Sequence, residues 1–293
     1  MTLASARALL PGGLSDMATI INLSRRPGGT FALLAVSLLC LVAIAGPLIS
    51  PYGPNAIAPA TRLMRPSLEH LFGTDQLGRD ILSRLIFGTR VALGVSLSVI
   101  AISLTSGVAL GVLSALAPRA VDLVIVGIFD LVTSFPSIIL ALSLVAVLGP
   151  GLGNVVLLVS IVFIPHFGRV ARAQTIAIKN SAFIEAEKVL GAQTWRIVLH
   201  HVVPNIIGPI FVLACMDIPV VITIEAGLSF LGLGVRPPLA SWGNLLNDGY
   251  TYLDQSPWLA TFSGLSLIFA TLGFALLGEA MRDTLDPKLR RAH

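Results

Sequence analysis

The chain has 293 residues, of which 55% are hydrophobic and only 12% are charged. A soluble globular domain carries roughly 25% charged residues, so this composition excludes a soluble protein and indicates one that crosses a membrane several times. The net charge of +4 does not indicate a nucleic-acid-binding protein, because the sequence has no basic run interleaved with aromatic residues.

The cysteines and histidines predict neither a disulfide framework nor a metal site. Cys40 and Cys215 lie in separate apolar stretches, where small side chains pack between helices. His200 and His201 are adjacent, and neighbouring residues on a helix do not face each other. We therefore expect no catalytic residue, no bound metal and no cofactor on this chain.

The N-terminal residues 1–29 contain no cleavable signal pattern and are predicted to lie in the cytoplasm. Arg25 and Arg26 precede the uncharged run 30–50, and a membrane-spanning helix needs about 20 apolar residues. Since basic residues stay on the cytoplasmic side, this run is predicted to be a first transmembrane helix that anchors the chain.

Residues 51–90 are predicted to form an outer segment. Leu77, Ile81 and Leu85 recur every four residues, which predicts an amphipathic helix lying at the membrane surface. The segment carries five arginines between positions 62 and 90, which conflicts with the preference of basic residues for the cytoplasmic side.

Two glycines of this segment have the spacing of a nucleotide-binding P-loop. Gly73 and Gly78 are separated by four residues, but Arg79 and Asp80 follow where a P-loop requires Lys and Ser or Thr. The sequence therefore predicts no nucleotide site on this chain.

Residues 91–281 are predicted to form a core of five further transmembrane helices, and 282–293 a cytoplasmic tail. The spans are expected at about 91–117, 123–148, 152–167, 205–230 and 258–277. Gly107, Gly111 and Ala115 recur every four residues, a stripe that lets helices approach closely. The basic residues Arg169, Arg172 and Lys179 place the following loop, 180–204, in the cytoplasm together with both termini.

This loop is the longest polar interruption between the apolar spans. It is predicted to form two short helices that bend at Gly191, a residue that ends helices by adopting a left-handed conformation. Asn180 and Ser181 are expected to cap the first helix, and Thr194 to begin the second. Such a hairpin can hold its own membrane body with one face and present another to a soluble partner.

The loop resembles the EAA loop of ABC-importer permeases. Glu185, Ala186, Gly191 and Pro204 match that pattern at its spacing, whereas Glu187, His201 and Val203 replace its usual residues. The ending from His201 to Asn205 is similar to the dipeptide, oligopeptide and nickel branch. Three other stretches resemble the C-type subunit of that branch, namely 72–90, 229–249 and 279–293.

The resemblance implies an all-α helical bundle of six transmembrane helices with a cytoplasmic coupling-helix loop, the type I ABC importer permease fold. It also implies a multi-pass location in the bacterial inner membrane, in contact with lipid. The expected partners are a homologous permease in a heterodimer, two ATP-binding subunits that carry ATP and magnesium, and an extracytoplasmic substrate-binding protein. No nucleic acid is expected.

The implied function is one half of a pathway for di- or oligopeptides, with nickel or another small solute as the alternative. The chain itself would not be an enzyme. The residues expected to couple it to the ATPase are Ser181, Phe183, Glu185, Ala186, Lys188, Gly191, Ala192, Arg196 and Pro204. An ion-coupled secondary transporter is a less favoured class, because the sequence shows no paired, broken-helix repeat.

Asp130, Asp217 and Glu225 are acids within predicted spans. A charge in lipid is costly, so each must face a partner helix or a watery path. These acids line the pathway and accept a peptide's amino terminus, or they hydrogen-bond at the interface with a second permease. Both hypotheses stay open for Asp217 and Glu225, and Asp130 is assigned to packing.

Overall fold

The computed structural model describes residues 27–285, in which the regular secondary structure is helical. The α-helices of this range are α1 (Pro27–Ile49), α2 (Ile81–Leu116), α3 (Arg119–Thr133), α4 (Ser137–Leu148), α5 (Leu152–Lys179), α6 (Ala182–Val189), α7 (Thr194–Ile197), α8 (Val203–Phe230), α9 (Trp242–Thr251) and α10 (Pro257–Leu285). Most of the predicted cytoplasmic tail and most of the predicted N-terminal segment lie outside the described residues, while residues 282–285 belong to α10.

Five helical stretches of the described range are long and apolar enough to cross a membrane: α1, α2, α5, α10 and a 37-residue stretch, Thr194–Phe230, that contains α7 and α8. Helices α3 and α4 meet at a bend of 90° and together pass the same test. Counting this pair as one broken span gives six, the number predicted. The break lies before Pro136, whose ring disfavours helical geometry in the residue before it.

The surface helix predicted near positions 77–85 is not a separate element. The helix begins at Ile81 and continues without interruption to Leu116, so the predicted boundary at position 91 is wrong. Asp80 sets the start, because its carboxylate accepts a 2.8 Å hydrogen bond from the backbone N–H of Ser83. Ile81 is buried at the base of the span, whereas Leu77 lies in the preceding turn.

Helices α2 and α5 form the most extensive helix pair of the described range. A Cβ atom on Gly107 would lie 2.6 Å from the carbonyl oxygen of Ile164 and 2.8 Å from Cβ of Phe167. Gly111 faces Gly168 and Ala171 at similarly close range. The predicted small-residue stripe is therefore a packing surface that brings the two backbones together.

The N-terminal part of α2, near residue 85, is joined to α9 by a buried tryptophan. Trp242 is 1% exposed, and its indole N–H donates to the carbonyl oxygen of Leu85 over 3.1 Å. A Cβ atom on Gly88 would lie 2.7 Å from the indole ring, so only glycine leaves room for it. This contact fixes α9, and with it the loop after α8, against the core.

Candidate functional site: the 180–204 loop and the acids of the spans

The 180–204 loop contains the short helix α6, which ends in a Schellman motif. The N–H of Gly191 donates to the carbonyl of Lys188, and the N–H of Ala192 donates to the carbonyl of Glu187, each over 3.0 Å. Gly191 has φ of +84°, the left-handed conformation that this motif requires. The predicted bend at Gly191 is thereby confirmed.

The predicted cap at the start of α6 is wrong. Ser181 occupies the N-cap position, but no side-chain hydrogen bond caps the helix there. Its hydroxyl instead donates to the carbonyl of Ile178 over 2.6 Å. That carbonyl lies in the last turn of α5, where backbone oxygens lack helical partners, and it competes successfully for the hydroxyl.

One residue that was not among the predicted coupling residues anchors α6 to the membrane body. Ile184 is 1% exposed and belongs to the main hydrophobic core. The opposite side of the helix is open, since Val189 and Leu190 are 86% and 83% exposed. Glu185 is exposed in the first turn, so α6 presents an acidic and apolar surface away from the bundle.

The other predicted coupling residues lie along the same loop. Phe183 is half exposed, with its ring edge-on to His201 at 5.8 Å between centroids. Ala186, Lys188 and Arg196 are at least partly exposed, while Ala192 is partly buried against the core. The loop therefore gathers these side chains on and around α6.

The second half of the loop is continuous with the next span. Helix α7 begins at Thr194, as predicted, and passes through a π-helical turn, Val198–Val202, directly into α8. Pro204 lies in the first turn of α8; it has no N–H to donate, and its ring disfavours α-helical packing against the preceding turn. The side chain of Asn205 donates to the carbonyl of His201 over 2.7 Å. The loop is thus joined to α8 by continuous helical backbone.

The three intramembrane acids have different surroundings. Glu225 is 1% exposed, and its Oε1 accepts hydrogen bonds from the hydroxyls of Ser229 and Ser241, at 2.7 and 2.9 Å. It holds the loop after α8 against that helix. These contacts lie within one subunit, so they give Glu225 a packing role inside the chain rather than at the predicted interface with a second permease.

Asp217 and Asp130 each pair with a residue of α5. Oδ2 of Asp217, whose side chain is 8% exposed, lies 2.9 Å from Nδ1 of His166. Oδ1 of Asp130 lies 2.6 Å from Nη2 of Arg169, and both of these side chains are at least half exposed. Both side chains are exposed in this subunit, so the packing of Asp130 at an interface with a second permease stays a prediction.

The stretch with P-loop glycine spacing builds a buried ionic cluster, which no sequence motif had indicated. Asp75 is fully buried, and its Oδ2 lies 2.6 Å from Nε of Arg79 and 3.2 Å from Nη1 of Arg84. Oδ1 of Asp80 lies 3.0 Å from Nδ1 of His70. Two of the five arginines that conflicted with the positive-inside pattern are therefore paired with one buried carboxylate.

This cluster extends to α9. Asp248 lies 4.0 Å from Arg79, and burial raises the pKa of Asp248, with Asp75 adding to that shift. A hydrogen bond from Gln76 and the charge of Arg79 act in the opposite direction. Within residues 27–285 no group of three or more His, Cys, Asp or Glu side chains could hold a metal ion.

The sequence profile of the binding-protein-dependent transport system inner membrane components matches residues 107–291. The chain belongs to this family. The permease is 39% identical over 258 residues to the dipeptide transport system permease protein DppC of Alkalihalophilus pseudofirmus, covering 88% of this chain and 85% of that protein. It is 37% identical over 271 residues to the nickel transport system permease protein NikC of Escherichia coli, covering 92% of this chain and 98% of that protein.

The fold of the permease also has a solved counterpart. An inward-facing structure of the MetNI methionine ABC transporter aligns with a TM-score of 0.58 at 17% identity, covering 70% of this chain and 98% of that one. The predicted all-α fold of an ABC importer permease is thereby confirmed. The family and the apolar helices together make the permease a multi-pass inner-membrane protein.

Proposed function

We propose that the permease forms half of the translocation pathway of an ATP-driven importer of di- or oligopeptides, and that α6 couples it to an ATPase subunit. The observation that carries the coupling role is the construction of α6. Ile184 fixes one side in the core, and Glu185, Val189 and Leu190 are left open on a rigid, glycine-terminated helix. An unpartnered acidic and apolar helix surface on a membrane protein suits a soluble protein groove.

The orientation of the loop supports this role. Arg169, Arg172 and Lys179 precede it at the end of α5, and basic residues are enriched on the cytoplasmic side. That side is where ATP is available to a soluble partner. Both termini are then cytoplasmic, and the segment of residues 50–80 faces outward.

Coupling would follow the continuous backbone. When ATP binds, closure of the two ATPase subunits would displace α6. The movement would then reach the pathway through α7, the π-helical turn and α8. A homologous permease would supply the other half of the pathway in a heterodimer. Two ATP-binding subunits would carry ATP and magnesium, and an extracytoplasmic binding protein would deliver the solute.

Peptides are the favoured solutes because the relative named as a dipeptide permease is 39% identical to this chain. Nickel is the second candidate, favoured by the 37% identity to the relative named as a nickel permease. The two solutes are distinguished in cells that express the permease with its partner subunits. Uptake of radiolabelled dialanine would support peptides, and uptake of a radioactive nickel salt would support nickel.

Gly191→Asp is the first test of the coupling role. A non-glycine residue at positive φ costs about 1–3 kcal/mol, and the added charge lies beside the exposed end of α6. We expect the chain to insert normally, dialanine uptake to fall at least tenfold, and ATP hydrolysis to lose its dependence on solute, measured in reconstituted vesicles.

Gly149→Asp is the matched control. Gly149 has φ of +86°, and a Cβ atom there would meet nothing within 4 Å, as at Gly191. The same charge is thus introduced in a different loop, between α4 and α5, with a backbone strain at least as large, since the ψ of 157° at Gly149 belongs to a region that essentially only glycine populates. Normal uptake by the Gly191→Asp chain, or equal loss in both variants, would contradict a docking role for α6.

A further inference from the structure

The break between α3 and α4 opens onto a cleft whose walls carry four polar side chains. The cleft has a volume of about 330 Å³ and is lined by Thr133, Ser137, Val162, Phe163, His166 and Arg169. Its volume is at the lower end of the range for small-molecule pockets. We propose that this cleft is a carboxylate-binding subsite of the pathway, in which Arg169 exchanges Asp130 for the carboxylate of the solute. This inference rests on the proposed function as a peptide importer.

The exposure of the charges indicates a water-filled surface. The side chains of Asp130 and Arg169 are 60% and 50% exposed, although both lie on helices of the spans. Arg169 lies toward the cytoplasmic end of its span, and charged groups on a spanning helix face a bundle interior or an aqueous path rather than lipid. The interrupted backbone between α3 and α4 needs the same surroundings, because non-helical backbone is tolerated at membrane depth only in protein or beside a cavity.

The donors of the cleft suit an anion. Arg169 donates to Asp130 over 2.6 Å and to the hydroxyl of Thr133 over 2.9 Å, and both bonds use Nη2. A guanidinium has five N–H donors arranged to hold a carboxylate by two bonds, so a solute carboxylate can engage Arg169 better than Asp130 does. An ion pair this exposed contributes little to stability, so exchange costs little.

A helix terminus favours a carboxylate in the cleft, whereas Asp217, whose Oδ2 lies 2.9 Å from Nδ1 of His166, adds negative charge behind the cleft wall. Helix α4 begins at Ser137, and no side-chain hydrogen bond caps this end. The positive end of that helix dipole therefore adds to the potential of the cleft.

The test measures the preference of the cleft for negative charge. Ser137→Cys is introduced into a chain carrying Cys40→Ala and Cys215→Ala, and the complete importer is labelled in membrane vesicles. Two methanethiosulfonate reagents are compared, one bearing a sulfonate and one a trimethylammonium group. We expect labelling by the sulfonate reagent, and slower labelling when dialanine is being transported.

The two members of the ion pair should then act in opposite directions. Arg169→Gln should lower the ratio of sulfonate to ammonium labelling rates about fivefold, and Asp130→Asn should raise it by a similar factor, as Coulomb interactions over a few ångströms of water imply. The slowing of labelling by dialanine should also disappear in the Arg169→Gln chain, whereas a pair that only braces α3 against α5 would leave that slowing in place.

Matched controls come from the same helices and from another groove. Asp122 and Arg172 also join α3 to α5, through a 2.7 Å contact, and Asp122→Asn and Arg172→Gln should leave the ratio measured with the Ser137→Cys chain unchanged. Thr105 lines a large apolar groove beside α2, and Thr105→Cys should show no dependence on Asp130 or Arg169.

Absence of labelling at position 137 would overturn the inference, since it would mean that lipid or the second permease covers the cleft. The inference would also be overturned if the ratio of sulfonate to ammonium labelling rates were unchanged in the Arg169→Gln and Asp130→Asn chains, or if it moved in the same direction in both. Dialanine uptake by the unmodified importer is measured separately, so failure of peptide transport itself remains distinguishable from failure of the subsite.

Discussion

Glu225 and Asp130 illustrate how surroundings, rather than residue type, determine the role of an acid in a span. Glu225 is enclosed by protein and bonded to two serine hydroxyls. Asp130 is open and paired with an equally open arginine. From the sequence, Glu225 was undecided and Asp130 was assigned to packing, because hydropathy registers an acid in a span but not the direction in which it faces.

Substitution of Glu225 separates packing from transport. Glu225→Gln keeps a carbonyl oxygen for Ser229 and Ser241, so we expect near-normal thermal stability of the detergent-solubilised chain. Glu225→Leu leaves buried hydroxyls without their acceptor, at a cost of about 1–3 kcal/mol, and should lower the Tm. A stable Glu225→Gln chain that no longer transports dialanine would instead indicate a role in the pathway.

Gly191 and Ser181 show which local features of the loop were predictable. A glycine at a helix end has one dominant reason to be there, the left-handed conformation that other residues avoid, and the structure has it. A serine has several possible partners. The carbonyl of Ile178 and the N-terminal N–H groups of α6 compete for Ser181, and only the folded geometry decides between them.

At the scale of elements, most spans were predictable and their ends were not. Runs of apolar residues identify a spanning helix with little ambiguity. The start of α2 was misplaced because Arg79, Arg84 and Arg90 look like a polar boundary, whereas Arg84 is 4% exposed and paired with Asp75 inside the protein. The third span carries Pro136, but its bend of 90° depends on how α4 packs against α5.

The α2–α5 pair depends on glycine. A side chain at Gly111 would collide with the backbone of Gly168 and approach Cβ of Ala171 to 3.0 Å. We expect Gly111→Val to separate the helices at a cost of at least about 1–3 kcal/mol, and to reduce the yield and Tm of the purified chain.

Gly94 provides the comparison on the same helix. A Cβ atom at Gly94 would meet nothing within 4 Å, and alanine is a better helix former than glycine by about 1 kcal/mol. Gly94→Ala should therefore leave the Tm unchanged or raise it slightly. Equal losses at positions 94 and 111 would contradict the packing role of the glycine stripe.

At the scale of the whole molecule, the segment of residues 50–80 is tied to the bundle by charge and aromatic contacts. Asp75 joins Arg79 and Arg84, and Arg79 in turn approaches Asp248 of α9. The rings of Phe72 and Phe262 stack at 4.0 Å between centroids. The segment is therefore part of the folded body, although it contains no helix longer than one short 3₁₀ turn.

Asp75→Asn tests this connection. Removing the charge leaves two buried guanidinium groups without their shared partner, and breaking a buried ion pair from one side costs about 3–5 kcal/mol. We expect the chain to accumulate poorly in the membrane, with a strongly lowered Tm and rapid proteolysis within residues 50–80. Asp254→Asn, at an exposed position after α9, should behave as the unsubstituted protein does, and a mild effect at Asp75 would contradict the structural role of the cluster.

The sequence alone determined that the protein spans a membrane through about six apolar stretches, that a polar helical loop interrupts them, and that this loop ends its first helix at Gly191. These features depend on composition, on runs of apolar residues and on the conformational preference of single residues, all of which are local.

The tertiary structure alone decided which residues far apart in the sequence meet. Asp130 reaches Arg169 across 39 positions, Glu225 reaches Ser241 across 16, and Trp242 reaches Leu85 across 157. A local pattern carries no information on such pairings, because they arise only when separate helices pack together. Hence the sequence located the acids of the spans, and the fold decided that Glu225 is enclosed while Asp130 pairs with Arg169 on an exposed surface.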